Sequence, residues 1–408
     1  MTALAQLLLF LGLAFGVYGL LVNLTRRLAL PDFLAALAAG VLLGLFGAGL
    51  GETSTYEIAR IFHDPASLAR IDLVAQAGLV LFLIHLGLHM DAGYLRTNTT
   101  VPVRQSLLVI AVDVLVVGGL SYWSIAGGDV WAALLITAVM LSRHVGGALK
   151  GFAAPAPEMK RSLTDLAQTA VIVDGAALLV VTVLHAAAFY RDYALQSLSR
   201  DFINWLILIP FVVAILQPRL MQVLGGMIPE GLRRYTLPVG IGLICLFIYA
   251  GVAVGASLLL PGVLAGYLIK QFGERPTRVL REQLLAGTGF LYSLPFIEVG
   301  RSLAASGHLA SMDGRPVLLI LIAFVVTALL TGLSLLRRSG YALPFLLGTF
   351  ARGELAVLMV WVMLGAGALT AATGVALIAA AVSSSILAVA AGAIVKYRRG
   401  SDSARSTT

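Results

Sequence analysis

The segment DLAQTAVIVDGAALLVV, Asp165 to Val181, holds one carboxylate, Asp174, at the centre of an otherwise oily run. A bare carboxylate in hydrocarbon costs several kcal/mol, so a chain keeps one there for a reason. Either it pairs with a buried guanidinium as a structural element, or it binds a small cation and a proton in turn. The two ions compete for the same pair of oxygens, so a single carboxylate suffices to exchange them.

Other charges share this unusual setting. SRHVGG (Ser142–Gly147) puts Arg143 and His144 in mid-span, and ARGEL (Ala351–Leu355) does the same with Arg352 and Glu354. Arg143 and His144 pair with Asp174 or Asp113, or neutralise helix-end carbonyls, or His144 carries protons. Asp113 is either the partner of Arg143 or a second proton site. Arg352 and Glu354 read as an opposite-charge pair that holds an interrupted helix together. Glu298 and Arg301, three residues apart, fit a local ion pair, with Arg301 near the outer interface and able to snorkel. His85 and His89 have i, i+4 spacing, yet with no third ligand nearby no metal site is expected.

The elements that position these groups are membrane spans. Of 408 residues, 59% are hydrophobic and only 12% charged, and mean hydropathy is +0.96. Soluble domains carry about 25% charged residues. Runs long enough to cross a bilayer core recur at 3–24, 32–50, 70–90, 101–124, 129–151, 162–190, 202–223, 235–252, 254–271, 282–304, 315–336, 340–365 and 369–396. An all-α polytopic membrane protein of about thirteen spans is therefore expected. With the N-terminus outside, twenty of the 28 Lys and Arg residues fall in inner loops or the tail and five in outer loops. That is the positive-inside pattern, so the net charge of +8 reports topology and not nucleic-acid binding. The first span has no preceding Lys or Arg and does not read as a cleaved signal peptide. Cys245 is alone, so a disulfide within the chain is excluded. No nucleophile–base pair, metal cluster or phosphate loop is present; neither an enzyme nor a cofactor is expected.

Six spans, one linking span and six more give two halves of opposite orientation, the inverted-repeat construction of secondary transporters. The fifth span then corresponds to the twelfth, and each has charge and glycine in its middle. At 1.5 Å per residue, Asp113, Arg143, Asp174 and Arg352 each lie about 16–21 Å from a helix end. Four spans thus bring ionisable groups to one level.

At these residues the sequence resembles the monovalent cation/proton antiporters of the CPA2 branch, the Kef-like and NapA-like exchangers. The likeness is carried by LPDFLAALAAGVLLG (30–44), LVAQAGLVLFLIHLGLHMD (73–91), LPFIEVGRSL (294–303) and ARGEL (351–355). It implies a NhaA/NapA-like fold with two broken helices that cross. Panel or dimerisation helices would occupy 1–90 and 235–304, core helices 101–190 and 315–396, with 202–223 linking and 397–408 a short tail. The resemblance also implies a homodimer in the cell (inner) membrane, C-terminus cytoplasmic, with an elevator-like core exchanging Na+, K+ or Li+ for H+. Asp174 falls on the family's essential aspartate.

Two departures bear on mechanism. Val173 replaces the first polar member of the family's residue pair, and the 315–336 span has Thr327 and Thr331 but no lysine. Their joint loss suggests a one-for-one, electroneutral cycle. The family's small hydroxyl residues at the fifth-span break are replaced by Arg143 and His144. Alternatives are a Kef-type potassium efflux protein with a separate regulatory subunit, a bile-acid-type symporter, or a non-transporting scaffold or sensor with a locked Arg–Asp core.

Overall fold

The computed structural model describes residues 3–51, 57–89, 100–143, 157–191, 236–271, 289–307, 309, 312–336 and 347–405. The expected span at 202–223, the second half of the fifth span and His144 lie outside the described residues. Every described element is helical. In chain order these are α1 (Ala3–Arg27), α2 (Asp32–Leu50), a short α3 (Glu57–His63) and α4 (Pro65–His89). Then come α5 (Thr100–Asp113), a π-turn (Val114–Gly118), α6 (Gly119–Ser124), α7 (Val130–Leu141) and α8 (Pro157–Arg191). The second half holds α9 (Thr236–Ala253), α10 (Leu259–Gln271), a 3-10 turn (Gly289–Ser293) and α11 (Leu294–Ala305). It closes with α12 (Gly314–Leu336), α13 (Glu354–Gly365) and α14 (Ala371–Arg405).

Among the described residues eight helices are long and apolar enough to cross a bilayer. Shorter apolar helices cover Val130–Leu141, Ile244–Ala253 and Leu259–Leu268. Several starts are fixed by side-chain caps that satisfy otherwise orphaned amides. Asp129 accepts from Trp131 N at 2.8 Å to begin α7, Asp313 from Arg315 N at 2.9 Å to begin α12, and Asp64 from Ser67 N at 3.0 Å to begin α4. Two elements depart from expectation. The 101–124 span is not a continuous α-helix, because the π-turn interrupts it directly after Asp113. The last helix runs beyond 396 to Arg405.

Packing divides the chain into two compact units, Met1–Ala69 with Asp91–Ala177 and Phe296–Thr408, and Arg70–Met90 with Leu178–Pro295. In the first, α5, α7, α12, α13 and α14 pack on one another, and α1 packs on α2. There α2 crosses α11 backbone to backbone: a Cβ on Gly40 would strike the Ile297 carbonyl, and one on Gly300 the Leu37 carbonyl. In the second, Ile84, Leu88, Phe247, Ile248 and Leu268 form an apolar cluster. Burial follows each helix's task. Of its most apolar window, 78% is buried for Leu347–Gly365 and 11% for Ala3–Arg27, so protein encloses the interrupted helix and leaves α1 for lipid.

Candidate ion site

The first compact unit contains the whole candidate site. Helix α7 stops at Leu141 because Ser142 turns extended (φ −59, ψ 137), which leaves the last carbonyls of α7 without intrahelical donors. The next residue, Arg143, donates its backbone N–H to Oδ1 of Asp174 at 2.9 Å. The Ser142 hydroxyl stands beside the same carboxylate. Asp174 is half-buried, whereas Ser142 behind it is sealed. Polar backbone at a helix break therefore faces a carboxylate in the middle of α8.

The guanidinium of Arg143 goes elsewhere. It bonds to Oδ2 of Asp113 and to the carbonyl of Thr349. Asp113 is fully buried at the end of α5 and receives a second guanidinium, that of Arg352, on Oδ1 at 3.3 Å. Arg352 lies 4.1 Å from the centroid of the Phe324 ring on α12, a cation–π contact worth about 0.5–2 kcal/mol. The Thr327 hydroxyl, one turn along α12, stands beside Asp113, and Thr331 bonds back to the Thr327 carbonyl at 2.7 Å. One carboxylate on the π-interrupted helix thus joins the end of α7 to the break before α13. No guanidinium among the described residues bonds to Asp174.

The second break, Ala351–Gly353, precedes α13. Its exposed backbone groups are satisfied by α14: Arg352 N donates to Ser384 Oγ at 3.0 Å, and Ser385 Oγ donates to the Arg352 carbonyl. Spacing alone suggests Glu354 as the partner of Arg352, whereas the ion pair forms with Asp113. Glu354 opens α13, where a carboxylate suits the free amides of a helix N-terminus.

Glu298 and Arg301 form a two-pronged pair on α11, at 2.8 and 2.5 Å. The expectation that Arg301 snorkels outwards is corrected: it is 7% exposed and its partner 5%. The glycines of α2 bring that helix close enough to cover this turn, with Gly44 against the Arg301 carbonyl. His85 packs on the Tyr292 ring at 5.0 Å between centroids, as an aromatic contact within the second unit.

Sequence reasoning missed Thr349, Phe324, Ser384, Ser385 and the π-turn. Only Ser383–Ser385, three hydroxyls within an apolar helix, offered a readable signal. Phe324 and Thr349 are ordinary residues of membrane spans, and their roles arise from contacts with distant segments.

Among the described residues, helices of membrane-crossing length, one ending at Leu141 and one interrupted at Ala351–Gly353 beside the same buried charges, have the construction of a secondary transporter. Residues 9–395 match the sequence model for the family described as sodium/hydrogen exchanger, transmembrane, and the chain belongs to that family. Its members are transporters, not enzymes. The fold is similar to that of the sodium proton antiporter MjNhaP1 from Methanocaldococcus jannaschii at pH 8, with a TM-score of 0.62 at 16% identity. The match covers 96% of this chain and 99% of that one. No curated protein matches the sequence.

Proposed function

We propose that this protein exchanges a monovalent cation, Na+ or K+, for H+ across the cell membrane by alternating access, with Asp174 as the shared carboxylate. One observation carries the reading. Asp174 lies half-buried beside a helix break, held by a backbone N–H, with no guanidinium upon it among the described residues. A cation arriving there meets an anionic oxygen pair flanked by a hydroxyl, a setting suited to a partly dehydrated monovalent ion. A scaffold with Asp174 itself locked would hold the Arg143 side chain against that carboxylate, whereas the side chain bonds to Asp113 and the Thr349 carbonyl. The exchange is one-for-one, since Val173 supplies no second titratable group beside Asp174 and α12 contains no lysine. The protein works as a homodimer, N-terminus outside. Core helices in 101–190 and 315–396 move against panel helices in 1–90 and 235–304.

The test is Asp174→Asn in proteoliposomes. Sodium- or potassium-driven recovery of a fluorescence-reported pH gradient should fall to the protein-free background, while the variant stays monodisperse with an unchanged unfolding temperature. Undiminished cation-driven proton flux from the variant would end the proposal.

A further inference from the structure

The core contains a carboxylate the exchange does not use. We propose that Asp113 is a positioning residue that holds the Arg143 guanidinium away from Asp174 and so keeps the transport carboxylate open to cations. The proposal rests on the exchange reading above and deepens it.

Geometry sets up the hazard. The backbone nitrogen of Arg143 is 2.9 Å from Asp174 Oδ1. The Arg143 side chain pivots on the carbon bonded to that nitrogen, so Asp174 lies within its sweep. A guanidinium is a permanent cation whose fork fits a carboxylate, and it would compete with Na+ for the same oxygens. Two contacts turn it the other way, the Asp113 carboxylate and the Thr349 carbonyl. The other arginine cannot take over this duty or vacate Asp113. Its backbone is fastened at both ends by Ser384 and Ser385, and its guanidinium rests on Phe324. Asp113 therefore has each oxygen committed to a different guanidinium, which suits a fixed counter-ion and not a second proton carrier. The π-turn starting at Val114 belongs to this device. Inserted residues of this kind re-aim the helix beside functional groups.

Without Asp113, two buried guanidinia would remain in the centre with no carboxylate between them. Arg143 would turn to the acid nearest its own backbone, Asp174. In liposomes containing the purified full chain, Asp113→Asn should raise the KM for Na+ about tenfold or more, the strength of a hydrogen bond to a charged group. The double variant Asp113→Asn, Arg143→Gln should return KM to within about threefold of wild type. Structural damage alone would leave the double variant as impaired as the single one.

A second readout is independent of transport. Dicyclohexylcarbodiimide modification of Asp174, followed by peptide mass spectrometry, should occur in wild type, be suppressed in Asp113→Asn and return in the double variant. Unsuppressed labelling in Asp113→Asn, or a double variant that regains neither labelling nor KM, overturns the inference. If Asp113→Asn fails to give monodisperse protein, Asp113→Glu takes its place: retained charge should keep both readouts near wild type, and suppressed labelling there overturns the inference. If wild type and Asp174→Asn carry equal flux while labelling follows the expected order, the exchange reading fails, and with it the transport purpose, while the hold of Asp113 on Arg143 stands.

Discussion

Arg352 shows what a single residue must satisfy to sit in the middle of a membrane bundle. Its guanidinium has Asp113 and the face of Phe324, while its backbone, freed by the break at Ala351–Gly353, has two serines of α14. An unpaired amide or carbonyl in this setting costs about 1–3 kcal/mol. Ser384→Ala and Ser385→Ala should therefore each destabilise the protein by about 1–3 kcal/mol, read as a lowered unfolding midpoint in detergent. Ser383→Ala, a neighbour that holds no part of the break, should change stability by about 0.5 kcal/mol or less. Equal effects at all three positions would mean that the serines matter through helix packing and not through the Arg352 backbone.

At the scale of elements, most of the architecture follows from hydropathy, while its joints follow from contacts. Runs such as Asp32–Leu50 are legible because length and apolarity alone make a span. The break at Ala351–Gly353 is legible too, since Arg, Gly and Glu together are not tolerated in a lipid-facing helix. The π-turn was hidden, because VLVVG continues the same apolar run and carries no residue that marks an extra helical position. The pairing of Asp113 with Arg352 was also hidden, the partners being 239 residues apart with several oppositely charged candidates nearer in sequence. Helix crossings were half-legible. Glycines recur along α2 and permit close packing, while the partner surface is supplied by α11, with Gly300 against Leu37 and Gly40 against Ile297. Gly300→Val should force these backbones apart and cost about 1–3 kcal/mol or more, seen as loss of monodisperse protein on size-exclusion chromatography. Gly12→Val on α1, where a Cβ meets open space, should elute as wild type. Indistinguishable behaviour of the two would remove the crossing as a determinant of the fold.

The whole molecule repeats its own devices. The helix end at Leu141 in the first half and the break at Ala351–Gly353 in the second each place an arginine against Asp113. The glycine crossing of α2 with α11 is matched in kind by that of α4 with α10, where Gly87 meets Val263 and Gly266 meets Ile84. The inverted repeat expected from the sequence would exchange these crossings, mapping the second expected span on the ninth and the third on the tenth. Under the proposed alternating access, such symmetry would let one set of contacts serve both states. In the first unit Asp113 is bonded to both Arg143 and Arg352, and in the proposed cycle these three keep their charges. What changes in that proposed cycle is the occupant of Asp174, either a proton or a monovalent cation, and both would neutralise it equally. With no lysine on α12 to release a second proton, each full turn of the proposed cycle would move no net charge. A sodium jump applied to proteoliposomes on a solid-supported membrane should therefore give no sustained current. Flux should also be indifferent to a potassium–valinomycin potential when sodium is the exchanged ion. A current of fixed sign, reversed by reversing the gradient and lost in Asp174→Asn, would show that a second titrating group joins each cycle. Among the charges bonded together here, Asp113 would then be the first to reassign, from fixed counter-ion to carrier.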